Sequence, residues 1–97
     1  MDNIDFAVLS RIQELGERFG LKPYDFVATL DHSPEARGMG VTFAIHAETG
    51  EPQRQRAKQM LEAIGVGNDG ILQGGEQAVI DALDHALSIA PKSRSRV

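Results

Sequence analysis

Two runs of strict alternation constrain this chain more than anything else in it. Tyr24, Phe26, Ala28 and Leu30 alternate with Asp25, Val27, Thr29 and Asp31, and Val41, Phe43, Ile45 and Ala47 alternate with Thr42, Ala44, His46 and Glu48. Successive side chains of a strand point to opposite faces, so each run describes a strand with one buried face and one polar face. The connection, His32 to Gly40, is rich in turn formers and too short for a parallel crossover. The pair therefore reads as a long antiparallel hairpin. The pattern does not say which of its edges stays unpaired, and a free edge must be short, charged or covered to be harmless.

The rest of the chain supplies helices to lay on the apolar face. Ile4, Val8, Ile12, Leu15 and Phe19 recur at helical spacing, with Leu9 widening the stripe. Asp2 or Asn3 can cap that helix, Glu14 and Arg18 form a favourable i,i+4 pair, and Gly20 ends it ahead of Pro23. Pro52 suits the first position of a second helix with the stripe Ala57, Met60, Leu61 and Ile64, closed by Gly65. Ile71-Leu72-Gln73 is too brief for periodicity to separate strand from loop. Glu76 opens a last helix with Val79, Ile80, Leu83, Ala86, Leu87 and Ala90 inward, and Pro91 marks its end. The expected architecture is a single α+β domain over residues 1–91. It has an antiparallel hairpin, with or without a short third strand, packed on three helices in the order α-β-β-α-(β)-α. Residues 92–97 read as a mobile basic tail. Phe26, Phe43, Ile45, Leu61 and Leu83 are expected to share one core.

Composition removes several kinds of chemistry. Ninety-seven residues provide one modest core, and the absence of cysteine excludes disulfides, thiolate metal sites and cysteine nucleophiles. The start, Met1-Asp2-Asn3-Ile4-Asp5, is acidic where a signal peptide is basic, and no apolar run reaches membrane-spanning length. The expectation is a cytoplasmic protein with no membrane contact. The net charge of −4 disfavours a polyanion as the main partner.

No motif specifies a reaction or a cofactor. Gly65-Val66-Gly67-Asn68-Asp69-Gly70 spells G-x-G-x-x-G but leaves a helix rather than a strand, so it reads as a helix stop and a turn. Gly74-Gly75-Glu76 opens a helix in the manner of an anion seat, without a basic residue nearby in sequence. Arg37-Gly38-Met39-Gly40-Val41-Thr42-Phe43 resembles the RNP1 signature of RNA-recognition motifs, with Met39 standing where an aromatic would stack on a base. Phe43 shares its face with Val41 and Ile45, which argues for burial. Asp25, Asp31 and Glu48 would face a phosphate backbone from the other side. His32, His46 and His85 have no metal-ligand spacing, so no metal site is expected. Asp31-His32-Ser33 has the letters of a triad, but sequential neighbours cannot supply its geometry. Were Asp25 to lie opposite His46, the two could make a cross-strand contact.

Arg54, Arg56 and Lys58 read together as one basic helix face. The segment Gly67 to Ala90, with four acids and no base, could be its complement in a second copy. The expected function is therefore a protein–protein interaction or self-associating module, a homodimer included, without catalytic activity and without a cofactor. Arg37, Arg54, Arg56, Lys58 and His46 are its candidate binding residues. A weak binder of RNA or single-stranded nucleic acid, using Arg37 and the basic tail, is one alternative. An enzyme whose site forms only on oligomerisation, using Asp31, His32 or His46, is the other.

Overall fold

A computed structural model describes residues 3–92. Helix α1 (Asn3–Arg18) is followed by β1 (Phe26–Asp31), a short 3-10 turn (Pro34–Ala36) and β2 (Gly40–Ile45). Helix α2 (Gln53–Ile64), β3 (Ile71–Gln73) and α3 (Glu76–Ile89) complete the order. The fold class and the α-β-β-α-β-α sequence are those expected. The hairpin pairs Phe26 with Ile45, Ala28 with Phe43 and Leu30 with Val41, and β3 adds antiparallel to the far side of β2. The sheet order is β1-β2-β3, so β2 is central.

The three helices lie on the face carrying Phe26, Ala28, Leu30, Val41, Phe43 and Ile45. One core results. Val8, Ile12 and Leu15 of α1, Met60 and Ile64 of α2, and Val79, Leu83 and Ala86 of α3 meet Val41 and Phe43 there. Phe26, Ile45 and Leu61 pack against that cluster from its rim. Arg11 Nε donates to Asp84 Oδ1 at 2.8 Å, and Arg18 reaches the Leu87 carbonyl, fixing α1 beside α3. The expectation for the tail falls on residues 93–97, outside the described residues; Lys92 is exposed.

Both strands are shorter than the alternation implied, and at their shared end the pattern inverts. Tyr24, expected inward, is 71% exposed, while Asp25, expected outward, is buried. The cause is a turn after Pro23. Asp25 N–H donates to the Lys22 carbonyl, and its carboxylate accepts from Lys22 N–H at 2.8 Å. The Thr49 hydroxyl donates to the Asp25 carbonyl, so burial leaves these groups bonded. Ala47, also expected inward, is exposed because the chain has already turned, with Thr49 N–H bonded to the His46 carbonyl. At the other end Met39 does not face outward as a substitute for a stacking aromatic. It is fully buried, as is Ala36 of the 3-10 turn. Pro52 stands at the N-cap of α2, one place earlier than expected. Gly65 closes α2 in the left-handed conformation and Gly67 to Gly70 is a turn, so the glycine motif is a helix stop.

Candidate functional site

Among the described residues, the hydrogen-bond phase of the sheet identifies β1 as the long edge left free. Phe43 N–H donates to the Gly70 carbonyl at 2.8 Å, toward β3. In an antiparallel strand the N–H and C=O of one residue point to the same side, and residues alternate. Phe43 therefore offers nothing to its β1 partner Ala28. Ala28 must direct both of its own groups away from β2, and so must Phe26 and Leu30. Val27, Thr29 and Asp31 face the ladder with β2. The outer edge of β1 thus presents three N–H and three C=O groups in a row. Little protects this edge among the described residues: Phe26 to Asp31 contains neither proline nor lysine, and its only charge is on the last residue.

Beside this edge, on the helix side of the sheet, runs a largely apolar groove of about 460 Å³ lined by Leu9, Ile12, Gln13, Gly16, Leu21, Phe26 and Ala28. Glu17, Lys22 and Pro23 close one end of it. Gly16 lines the groove against the edge. A Cβ there would come within 3.1 Å of the Phe26 ring, which would have to give by a few tenths of an ångström. Phe6 continues the same face of α1 one turn earlier (6, 9, 13 and 16 follow helical spacing) and is 68% exposed.

The residues chosen from the sequence do not gather. Arg54 donates to the carbonyls of His46, Ala47 and Thr49, at 2.8, 3.2 and 3.0 Å, and so holds the turn after β2. Arg56 lies over Gly20 at the end of α1, where a Cβ on that glycine would meet its guanidinium. Lys58 is exposed beside Leu61, Glu62 and Val66. The single basic face is therefore corrected: at about 100° per residue, position 56 lies well away from positions 54 and 58. Of the acids expected to complement it, Asp84 pairs with Arg11, and Asp81 accepts from Gln77 within α3.

Arg37 caps the 3-10 turn in the left-handed conformation (φ 58°), with its carbonyl beside Gly75. The start of α3 thus does have an arginine near it, contributed by the hairpin loop, although the Arg37 side chain is exposed.

His46 stands at the other end of the hairpin, in an open cleft of about 520 Å³ with Tyr24, Asp25, Glu48, Thr49 and Gln53. Continuing the register one step places Asp25 opposite His46, but the Asp25 carboxylate is turned onto the Lys22 amide instead. His32 packs toward α1: Nε2 lies 3.0 Å from Asp5 Oδ1, and Nδ1 lies 3.4 Å from the Gly38 carbonyl. The first of these is an ion-pair approach when the ring is charged rather than an aligned hydrogen bond, since Asp5 Oδ1 is buried without a hydrogen-bond partner. Asp31 accepts from Ser33 N–H at 2.9 Å, so aspartate, histidine and serine do not form a relay. Among the described residues no group of three histidines or carboxylates could hold a metal ion.

The Asp31 contact has a pH signature. The Ser33 backbone N–H, then the Ser33 hydroxyl, with a smaller pull from His32, hold this carboxyl below its ordinary value of 3.8, against a weak opposing effect of burial. A depressed folded-state pKa adds stability that is complete above the unfolded value and is lost as pH falls through the folded one. Asp31→Asn should therefore flatten the stability profile below pH 3.8 and lower stability above it. Urea midpoints of both proteins on either side of that pH test this; parallel profiles would remove Asp31 from the account.

No protein-family model, no curated protein and no solved structure matches the chain. No helix among the described residues is long and apolar enough to cross a membrane.

Proposed function

We propose that this chain is a non-catalytic protein-interaction module that captures an extended segment on the β1 edge. One observation carries the reading: the outward backbone groups of Phe26, Ala28 and Leu30 run alongside an apolar groove. Strand addition needs both parts, since main-chain bonds supply affinity and a groove beside the edge accepts alternate side chains. Within one chain the groups named for catalysis lie apart. Asp31 and His32 are at one end of the hairpin and His46 at the other, separated by the length of β1, about 20 Å at 3.4 Å per residue. Phe43 is 4% exposed, and the outer sheet face carries Val27, Thr29, Thr42, Ala44 and Ile71, so it offers no aromatic platform for bases.

Ala28→Pro tests the reading, because it deletes an outward donor and leaves the ladder to β2 bonded. Extended peptides selected from a random library should bind the natural chain and bind the variant at least about tenfold more weakly. The thermal transition of the variant should stay cooperative. Equal binding by both proteins would place the contact elsewhere.

A further inference from the structure

We propose that the natural occupant of this edge is β1 of a second copy, paired antiparallel about a two-fold axis at Ala28. The inference rests on the strand-edge reading above and adds the partner. Only residues of equal parity can face one another with matched side-chain directions, and the free groups belong to Phe26, Ala28 and Leu30. Pairing Ala28 with Ala28 of the second copy, and Phe26 with Leu30, satisfies all six free groups at once. A shift by two residues leaves one end of the edge unpaired. In the centred register the helix side holds two Phe26–Leu30 pairs and the outer face two Val27–Thr29 pairs, both favourable across strands. Asp25 falls opposite Asp31 of the second copy, with its carboxylate already held by the Lys22 amide.

The helices agree with this geometry. Helix α1 runs antiparallel to β1, since Asp5 meets His32 at one end and Gly16 meets Phe26 at the other. The two-fold therefore lays α1 antiparallel to its counterpart. It carries the exposed Phe6 of each copy toward the last turn of α1 in the other, beside the groove residues Glu17, Lys22 and Pro23. The charges at the ends are mixed: Glu17, Lys22 and Asp25 of one copy come beside Asp5, Asp31 and His32 of the other, so charge is not what selects this register. The contact is small. A helix about 24 Å long over one sheet layer covers roughly 400 Å² per copy, about half that of a standard stable interface. The dimer is accordingly weak and concentration-dependent.

Sedimentation velocity between about 1 μM and 1 mM covers the affinities such a contact can have. The natural chain should pass from monomer to dimer in that range. Phe6→Ala, an exposed position that leaves the core intact, should weaken the dimer about tenfold. Because the chain has no cysteine, Val27→Cys with Thr29→Cys should cross-link two copies on mild oxidation, while Thr29→Cys alone should not. A chain that stays monomeric throughout, or a Phe6→Ala variant that dimerises equally well, overturns the proposal. If selected peptides still bind and Ala28→Pro still abolishes that binding, the strand-edge reading survives and only the second copy is excluded. If peptides fail as well, both fall.

Discussion

Replacing Phe43 by alanine is expected to cost about 3–5 kcal/mol, the range for deleting a buried aromatic ring. Phe43 lies on the central strand, is 4% exposed, and belongs to the cluster that joins all three helices to the sheet. Its position leaves little room for collapse around the missing ring, because its neighbours come from separate elements held by their own hydrogen bonds. A domain of this size has about 5–15 kcal/mol in total, so the variant should lose at least about a fifth of its stability. Urea unfolding measures it directly. An unchanged midpoint would mean that the ring is not in the core, and would restore an aromatic to the outer sheet face where bases could stack. The exposed aromatics are Phe6 on α1 and Tyr24 in the turn before β1, outside the strands.

Much of this architecture is legible in the chain, and the failures have definite causes. Alternation locates the hairpin because one face of it is buried along six paired positions. It fails at Tyr24 and Asp25 because periodicity registers only apolar and polar. It does not register that an aspartate two places after proline can accept a backbone N–H and be buried with its charge satisfied. Met39 and Ala36 are missed for the converse reason: a hairpin loop reads as solvent-exposed, yet this one folds a 3-10 turn back under the sheet. β3 has three residues and no local signature. It exists because β2 presents a ladder to Gly70 and the residues after it. The edge problem is visible in sequence, but choosing between edges requires knowing that β3 covers β2. The arginines are misjudged for want of helical geometry, since spacing of two is not a shared face. Arg54 is further removed by three carbonyls that no sequence pattern announces. Gly16 carries the least signal of all, one glycine inside a good helix, and it lines the groove beside Phe26.

Gly70→Ala should be nearly as damaging as loss of the Phe43 ring, by a different route. Gly70 sits at φ 70°, a left-handed conformation in which an alanine is strained by about 1–3 kcal/mol. Its Cβ would also lie 2.3 Å from the Phe43 carbonyl oxygen, a backbone atom that cannot swing aside. Relief requires moving Gly70 away from β2, and that breaks the Phe43 N–H bond to the Gly70 carbonyl on which the start of β3 depends. The expected cost is about 3 kcal/mol or more, read from the shift of the urea transition. Gly67→Ala is the control. It lies in the same loop at no positive φ, and its Cβ would make only ordinary contact, 3.7 Å from Asp69. That variant should stay within about 0.5 kcal/mol. Equal losses from both would mean that the loop, not the crowding at Phe43, sets the stability. Detaching β3 has a further consequence, because β2 would then expose a second edge with the opposite set of backbone groups. A Gly70→Ala chain that folds should therefore associate more than the natural chain does, and its aggregates should form even when Ala28→Pro has closed the β1 edge. If Ala28→Pro suppresses them, β1 remains the only edge in use and β3 has stayed in place.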